Sequence, residues 1–279
     1  MSLTAEQPPM ESPLTTEEPL ILALETSSRI GSVALGRGPK VLAESTFSAP
    51  LRHSAEIFPT ITRLMDRFSL KPAQIRHVYL SIGPGSFTGL RIAVTIAKVM
   101  HLANPVKIVA VDTLDVIAAN VADPQGTVCR IAPVLDAKRN QFFVALYHRC
   151  TCPPTLPRPA QDRPTPCALE TWRKVLPASL LTAAEFLQRF ADPHEPVYLL
   201  GDGLLYHKDK FRSPGTRFLD QEFWSPRAAN VHALGWQLAL AGTFTDPLTL
   251  TPNYLRQPEA KEKYRCPSHR PNRIDPPPR

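Results

Sequence analysis

Nine consecutive residues, Gly83-Pro84-Gly85-Ser86-Phe87-Thr88-Gly89-Leu90-Arg91, hold the densest chemical signal in the sequence. They lie between an apolar strand expected over 77–82 and a helix rich in Ile, Ala and Val expected over 90–102. Glycines at a strand-to-helix turn leave backbone N–H groups free near a helix N-terminus, a geometry that can hold an anion. The same glycines also suit a tight turn that lets the next helix approach the sheet closely. No Gly-Lys-Ser/Thr follows, so this is no Walker A loop, and the GxGxxG spacing of dinucleotide sites is absent. Two acid-bearing turns add to the inventory: Glu25-Thr26-Ser27 and Asp136-Ala137-Lys138-Arg139. If they face one cleft, Glu25 and Asp136 can hold Mg²⁺ through water; otherwise they are acids capping turns at strand ends. Cys150-Thr151-Cys152 is too tightly spaced for a zinc knuckle, and no second CxxC or HxxxH completes four ligands. His53 is followed at i+4 by Ile57, so no helical His pair arises there.

The elements that must position these turns read as follows. Apolar runs predict strands over 20–24, 31–35 and 41–46, a three-strand meander turned by Gly36-Arg37-Gly38-Pro39. Ile57, Phe58, Ile61, Leu64, Met65 and Phe68 form one helical face over 54–68. Pro59 within that span predicts a kink or a late start. Strands over 77–82, 106–111 and 131–136 alternate with helices over 90–102 and 114–121, the latter with Thr113 as N-cap, giving parallel crossovers. A strand over 142–147 pairs back on 131–136. Residues 151–170 hold six prolines and read as an exposed insertion. Thr182-Ala183-Ala184-Glu185 is a capping box. A strand over 197–200 runs into Gly201-Asp202-Gly203, and Ser225-Pro226 should open a helix over 227–241 stopped by Gly242. The repeated order, meander and then crossovers, suggests duplicated lobes around a cleft.

The chain has 279 residues, 43% hydrophobic and 31 of them proline, a composition that excludes a wholly disordered chain. Nothing approaches the roughly 18 unbroken apolar residues of a membrane span. The start carries Glu6, Glu11, Glu17 and Glu18 and no apolar core, so it does not read as a signal peptide, and the cytoplasm is the expected compartment. The formal charge of +7 is compatible with a nucleic-acid partner without requiring one.

GPGSFTGLRI closely resembles the hallmark of the TsaB (YeaZ) family of tRNA threonylcarbamoyladenosine biosynthesis proteins. The likeness extends to Ile21-Leu22-Ala23-Leu24-Glu25-Thr26-Ser27, where Asp more often stands in place of Glu25, and to His53-Ser54-Ala55-Glu56-Ile57-Phe58-Pro59. It includes Val134-Leu135-Asp136-Ala137-Lys138-Arg139 and Pro252-Asn253-Tyr254-Leu255-Arg256-Gln257-Pro258-Glu259-Ala260. Together these cover 20–148 densely and 195–260 thinly. The resemblance implies an α/β chain with the two-lobed ASKHA fold (actin-like ATPase, ribonuclease H-like), mixed sheets flanked by helices. On that basis the chain divides into a disordered tail 1–18, an N-terminal lobe 19–118, a C-terminal lobe 119–256 with a Pro-rich insertion 149–180, and a basic Pro-rich tail 257–279.

The same resemblance implies a non-catalytic partner of TsaD, the paralogue that transfers threonylcarbamoyl to N6 of the adenosine beside the anticodon, with the ATPase TsaE joining a ternary complex. Contact with tRNA would be indirect, through the complex, and the chain alone could pair as a homodimer. TsaD-like metal ligands would fall at Thr113 and Ile117, and an Ile side chain has no lone pair for a metal. No metal, cofactor or catalytic residue is therefore expected. Glu25, Thr26, Ser27, Asp136, Lys138 and Arg139 would line a degenerate nucleotide cleft, with Ala137 where a Gly would admit phosphate. In this family the helices over 54–68 and 90–102 pair with those of TsaD. The expected contact residues are Phe58, Thr62, Met65, Ile92, Thr95, Ile96 and Val99. An ASKHA small-molecule kinase or ATPase is the alternative, and a metallopeptidase a third reading that Thr113 and Ile117 oppose.

Overall fold

The computed structural model describes residues 18–50, 52–122, 127–149 and 172–255. Readings that fall on 1–17, 150–171 and 256–279, including the Cys150–Cys152 pair and both tails, lie outside the described residues.

The central strand of the first sheet is β1, Leu20–Glu25, with every residue buried. Its side chains alternate: Leu20, Leu22 and Leu24 enter one core, Ile21 and Ala23 another. An unbroken apolar run is what a strand covered on both faces requires. β1 pairs antiparallel with β2 (Ser32–Arg37), which pairs antiparallel with β3 (Lys40–Thr46). On the other side it pairs parallel with β4 (Ile75–Gly83), itself parallel to β5 (Lys107–Asp112). Helix α1, His53–Arg67, starts no later than expected and continues without a break past Pro59. The missing amide there frees only the Ala55 carbonyl, on an exposed residue that water can satisfy. Helix α2, Phe87–Ala103, starts earlier than the sequence predicts. Ser86 is its N-cap and accepts a hydrogen bond from Gly89 N. Helix α3, Thr113–Ala118, is capped by Asp112, which accepts from Leu114 N, so Thr113 is the first helical residue rather than the cap. Asp112 ends a strand and can bend back onto the next amides, whereas the Thr113 side chain turns inward and is fully buried.

The second sheet repeats the first. β6 (Arg130–Asp136) pairs antiparallel with β7 (Phe142–Arg149), and β7 with β8 (Trp172–Leu181). Parallel to β6 runs β9 (Val197–Leu200), and parallel to β9 runs β10 (Thr216–Phe218). The strand orders β3-β2-β1-β4-β5 and β8-β7-β6-β9-β10 are the same arrangement twice. The duplication expected from element order is thus present in the topology. The span read as an insertion, 149–180, ends in the ten-residue strand β8. β8 is an edge strand with Arg173-Lys174 beside Val175-Leu176 and Pro177 in its middle, which gives no clean strand alternation in the sequence.

Helices α4 (Ala183–Phe190) and α5 (Leu204–His207) occupy the places of α1 and α2 but are much shorter. The Thr182–Glu185 capping box is present. Helix α6, Ala228–Leu240, is capped at Arg227, leaving Ser225 and Pro226 outside it. Although late in the chain, α6 crosses back and packs on β1, β2, β4 and β5. Thr245 N and Asn253 N then donate to the Ile108 and Ile82 carbonyls, so residues 228–253 complete the first lobe.

Candidate functional site

The two acid turns converge where the lobes meet. Glu25 ends β1 fully buried. Its Oε1 accepts from Ser27 N at 2.6 Å and from Ser27 Oγ at 2.5 Å, and its Oε2 accepts from the Ser81 hydroxyl. Burial raises the Glu25 pKa, opposed by the Ser27 and Ser81 hydrogen bonds and reinforced by Asp202 across the cleft. Asp202, in the Gly201–Gly203 turn, is pushed up to about 6, chiefly by burial and further by Asp136, while the Arg29 amide and charges of Arg29 and Lys138 pull it down. Asp136 is itself held below the usual range: Lys138 N donates to Oδ1 at 2.7 Å and Lys138 Nζ to Oδ2 at 2.8 Å, outweighing partial burial, which acts upward. Glu25, Asp136 and Asp202 thus share one cleft, each already engaged by the protein's own donors.

The glycine-rich loop faces the same place and is occupied by backbone. Ser86 N donates to Ser27 O at 2.6 Å, and Thr26 Oγ1 donates to Gly89 O at 2.8 Å. A Cβ on Gly85 would collide with the Ser27 carbonyl, and one on Gly89 with the Thr26 carbonyl. The loop is therefore glycine-rich because it lies against the 26–27 turn; of the two readings of GPGSFTG, close packing is the one the contacts describe. Gly83 has φ of 115° and the Gly83–Pro84 peptide is cis. Past the loop, the Phe87 ring stacks at 5.1 Å on Tyr254, and Arg91 donates to the Tyr254 hydroxyl at 3.1 Å. In the second lobe Gly203 serves similarly: its amide donates to Val134 O at 3.1 Å, and a Cβ would lie 2.8 Å from Asp136 N.

The positions expected to match metal ligands, Thr113 and Ile117, are both fully buried and sit on α3 facing the core. One hydroxyl and one aliphatic chain do not make a metal donor set.

A charged cluster that sequence reasoning missed lies beside α3. Lys174 Nζ on β8 is 2.7 Å from Asp115 Oδ1 and 3.5 Å from Asp112 Oδ2, and the Tyr147 hydroxyl donates to Asp115 at 2.7 Å. Burial raises Asp112, and Lys174 opposes the rise. Lys174 and Asp112 are far apart in sequence, so no local motif could have joined them.

The proposed contact helices divide differently from the sequence expectation. Phe58 is 61% exposed and Val99 56%, and Leu102, one turn past Val99 on α2, is 82% exposed. Thr62 and Thr95 are exposed and Ile92 half-buried. Met65, at 3%, and Ile96, at 6%, belong to the core between the helices and the sheet and are corrected to core residues. The helical face was read one step too wide: an amphipathic stripe predicts burial but not which side of the helix meets the chain's own sheet. The outward stripe on α2 runs Thr88, Arg91, Thr95, Val99, Leu102, with Phe58 and Thr62 on the neighbouring α1.

Comparison with known proteins gives concordant results. A family model described as TsaD, tRNA N6-adenosine threonylcarbamoyltransferase, matches residues 41–152. The tRNA threonylcarbamoyladenosine biosynthesis protein TsaB of Bacillus subtilis is 29% identical over 247 residues, covering 88% of this chain and 97% of that protein. TsaB of Escherichia coli is 30% identical over 129 residues, covering 46% of this chain and 55% of that protein. The chain thus spans nearly the whole of the first relative and about half of the second. The solved structure of YeaZ from Pseudomonas aeruginosa superposes with a TM-score of 0.67 at 22% identity, covering 85% of this chain and all of the other. The α/β fold is of the ASKHA type.

Proposed function

Because this chain is a homologue of the TsaB proteins of tRNA threonylcarbamoyladenosine biosynthesis, we propose that it is the non-catalytic subunit that binds and activates a TsaD transferase in that modification. The observation that carries the reading is the outward apolar stripe of α1 and α2, with Phe58, Val99 and Leu102 largely in solvent. Aromatic and aliphatic side chains at this exposure on two helices that touch suit an interface core. TsaE would join the same assembly, tRNA would reach this subunit through it, and the same stripe would support a homodimer in the absence of TsaD. Cytoplasmic assembly agrees with the lack, among the described residues, of a helix long and apolar enough to cross a membrane.

The cleft supports a loss of chemistry. Asp136 is spent on Lys138, Glu25 on Ser27 and Ser81, and the amide of Ser86 on Ser27, so little is left to cradle a phosphate. The alternative, an ASKHA kinase or ATPase, predicts ATP turnover by the isolated chain. The decisive experiment is genetic. Deleting the gene should remove the modified adenosine beside the anticodon, and wild-type protein, but not protein altered on the stripe, should restore it. Full modification in the deleted strain overturns the proposal.

A further inference from the structure

The hairpin joining β6 and β7 has a backbone that neither the docking stripe nor the cleft explains. Lys138, Arg139 and Asn140 have φ of 65°, 52° and 60°. Three successive non-glycine residues in the left-handed region each cost conformational energy, less for Asn than for Lys or Arg. Hairpins of this kind usually place Gly or Asn-Gly there. The turn is braced by Asp136 on the Lys138 amide, by Ala137 N donating to Gln141 O at 3.0 Å and by Gln141 N donating to Lys138 O at 3.0 Å. Strained backbone held in place by its surroundings tends to mark residues whose side chains are used. Here the turn directs Lys138 and Arg139 outward; the Lys138 side chain is 77% exposed.

The neighbours of this tip share its character. Lys210 Nζ reaches Asn140 Oδ1 at 2.5 Å. The His207 ring lies edge-on to Phe142, the first residue of β7. Next to His207, Tyr206 is 69% exposed, and the guanidinium of Arg29 sits 5.4 Å from its ring. Of the acids here, Asp136 is paired with Lys138, Asp202 accepts from the Arg29 amide, and the exposed Asp209 is paired with Arg212. The outer surface presents cationic side chains and one largely exposed aromatic ring, with Arg29 beside it.

We propose that this rim, Arg29, Arg139 and Lys210 with Tyr206, contacts RNA, with the cations on the phosphate backbone and an unstacked base against the Tyr206 ring. Exposed cations engage phosphates, and an exposed ring in the same segment is what single-stranded or splayed nucleotides stack on. An acidic protein partner would use the cations but leave the ring idle. That the RNA is tRNA rests on the function proposed above; the contact itself does not.

The test is binding of the full-length protein to fluorescently labelled tRNA by anisotropy, at salt from 50 to 200 mM. Arg139→Asn combined with Lys210→Gln should weaken binding about tenfold at the lower salt and flatten the log–log salt slope by about two, one per lost phosphate contact. Tyr206→Ala should weaken binding about tenfold while leaving that slope unchanged, since stacking releases no counterion. Arg139→Asn suits the left-handed backbone, so its melting temperature should not fall, which separates lost contact from lost fold. Unchanged affinity and slope in these variants overturn the proposal. So does a loss seen equally with heparin while Tyr206→Ala is silent, which marks charge attraction only. If the deleted strain keeps its modified adenosine but these titrations behave as expected, the modification role falls and the RNA contact stands; the converse pattern removes the contact alone.

Discussion

Replacing Phe58 by Ala probes the docking face most directly. A Phe side chain offers roughly 200 Å², and at 61% exposure roughly 120 Å² of it remains for a partner to cover. At about 25 cal/mol per Å² this is worth at most about 3 kcal/mol, of which Ala retains a part, leaving about 2 kcal/mol. That corresponds to a roughly 30-fold weaker dissociation constant. Val99→Glu goes further, because a carboxylate sealed without a partner in an apolar interface costs about 3 kcal/mol or more. Neither change touches the monomer's core, so each should leave the unfolding free energy within about 0.5 kcal/mol of wild type. Ile96→Glu is the control: at 6% exposure it should unfold the lobe outright. Sedimentation velocity over a concentration series, alone and with TsaD, reads the affinities, and circular dichroism reads the fold. Natively folded Phe58→Ala and Val99→Glu proteins that associate within twofold of wild type would refute the reasoning.

Three further outcomes are expected. Gly89→Ala drives a methyl into the Thr26 carbonyl and should cost about 2–4 kcal/mol in urea unfolding; Gly242→Ala, with nothing within 4 Å of the added atom, should cost only about 1 kcal/mol, and equal losses would contradict the close-packing account. Lys174→Met strands Asp115 and Asp112 and should destabilise by about 3 kcal/mol, with Asp115→Asn added to it recovering part of the loss; no recovery would show that the cluster acts through packing alone. The pKa of Asp202 lies above its ordinary 3.8, at about 6, so folding favours its protonated form and its burden on stability grows as pH rises from about 4 to 6 and is full above. The advantage of Asp202→Asn should follow that curve in melting experiments, and an advantage independent of pH would rule the titration out.

Much of the fold was legible because it is local. The 20–24 run, the Thr182–Glu185 box and the glycines of 83–89 each announce an element through residues a few places apart. The misreadings share a cause in distance along the chain. Met65 and Ile96 look like their outward neighbours until the sheet beneath them is known. Thr113 has the residue type of a cap, while Asp112 reaches the amides because the strand ends there. Ser225-Pro226 has the right chemistry for a helix start, but α6 begins where it meets Ser32, whose hydroxyl accepts from Ala228 N at 2.9 Å. The Lys174 cluster and the rim around Tyr206 join segments that only tertiary folding brings together, and no periodicity encodes them.

The duplicated halves are unequal in one respect that governs stoichiometry. The first lobe carries helices of 15 and 17 residues where the second has 8 and 4. Among the described residues, only one long helical pair of this kind is therefore offered per molecule. Assembly through a single self-complementary patch closes at two subunits and cannot grow into a filament. On the proposed reading, self-pairing and capture of a TsaD partner would compete for one seat, so the relative abundance of the two proteins would set how much of this chain is engaged.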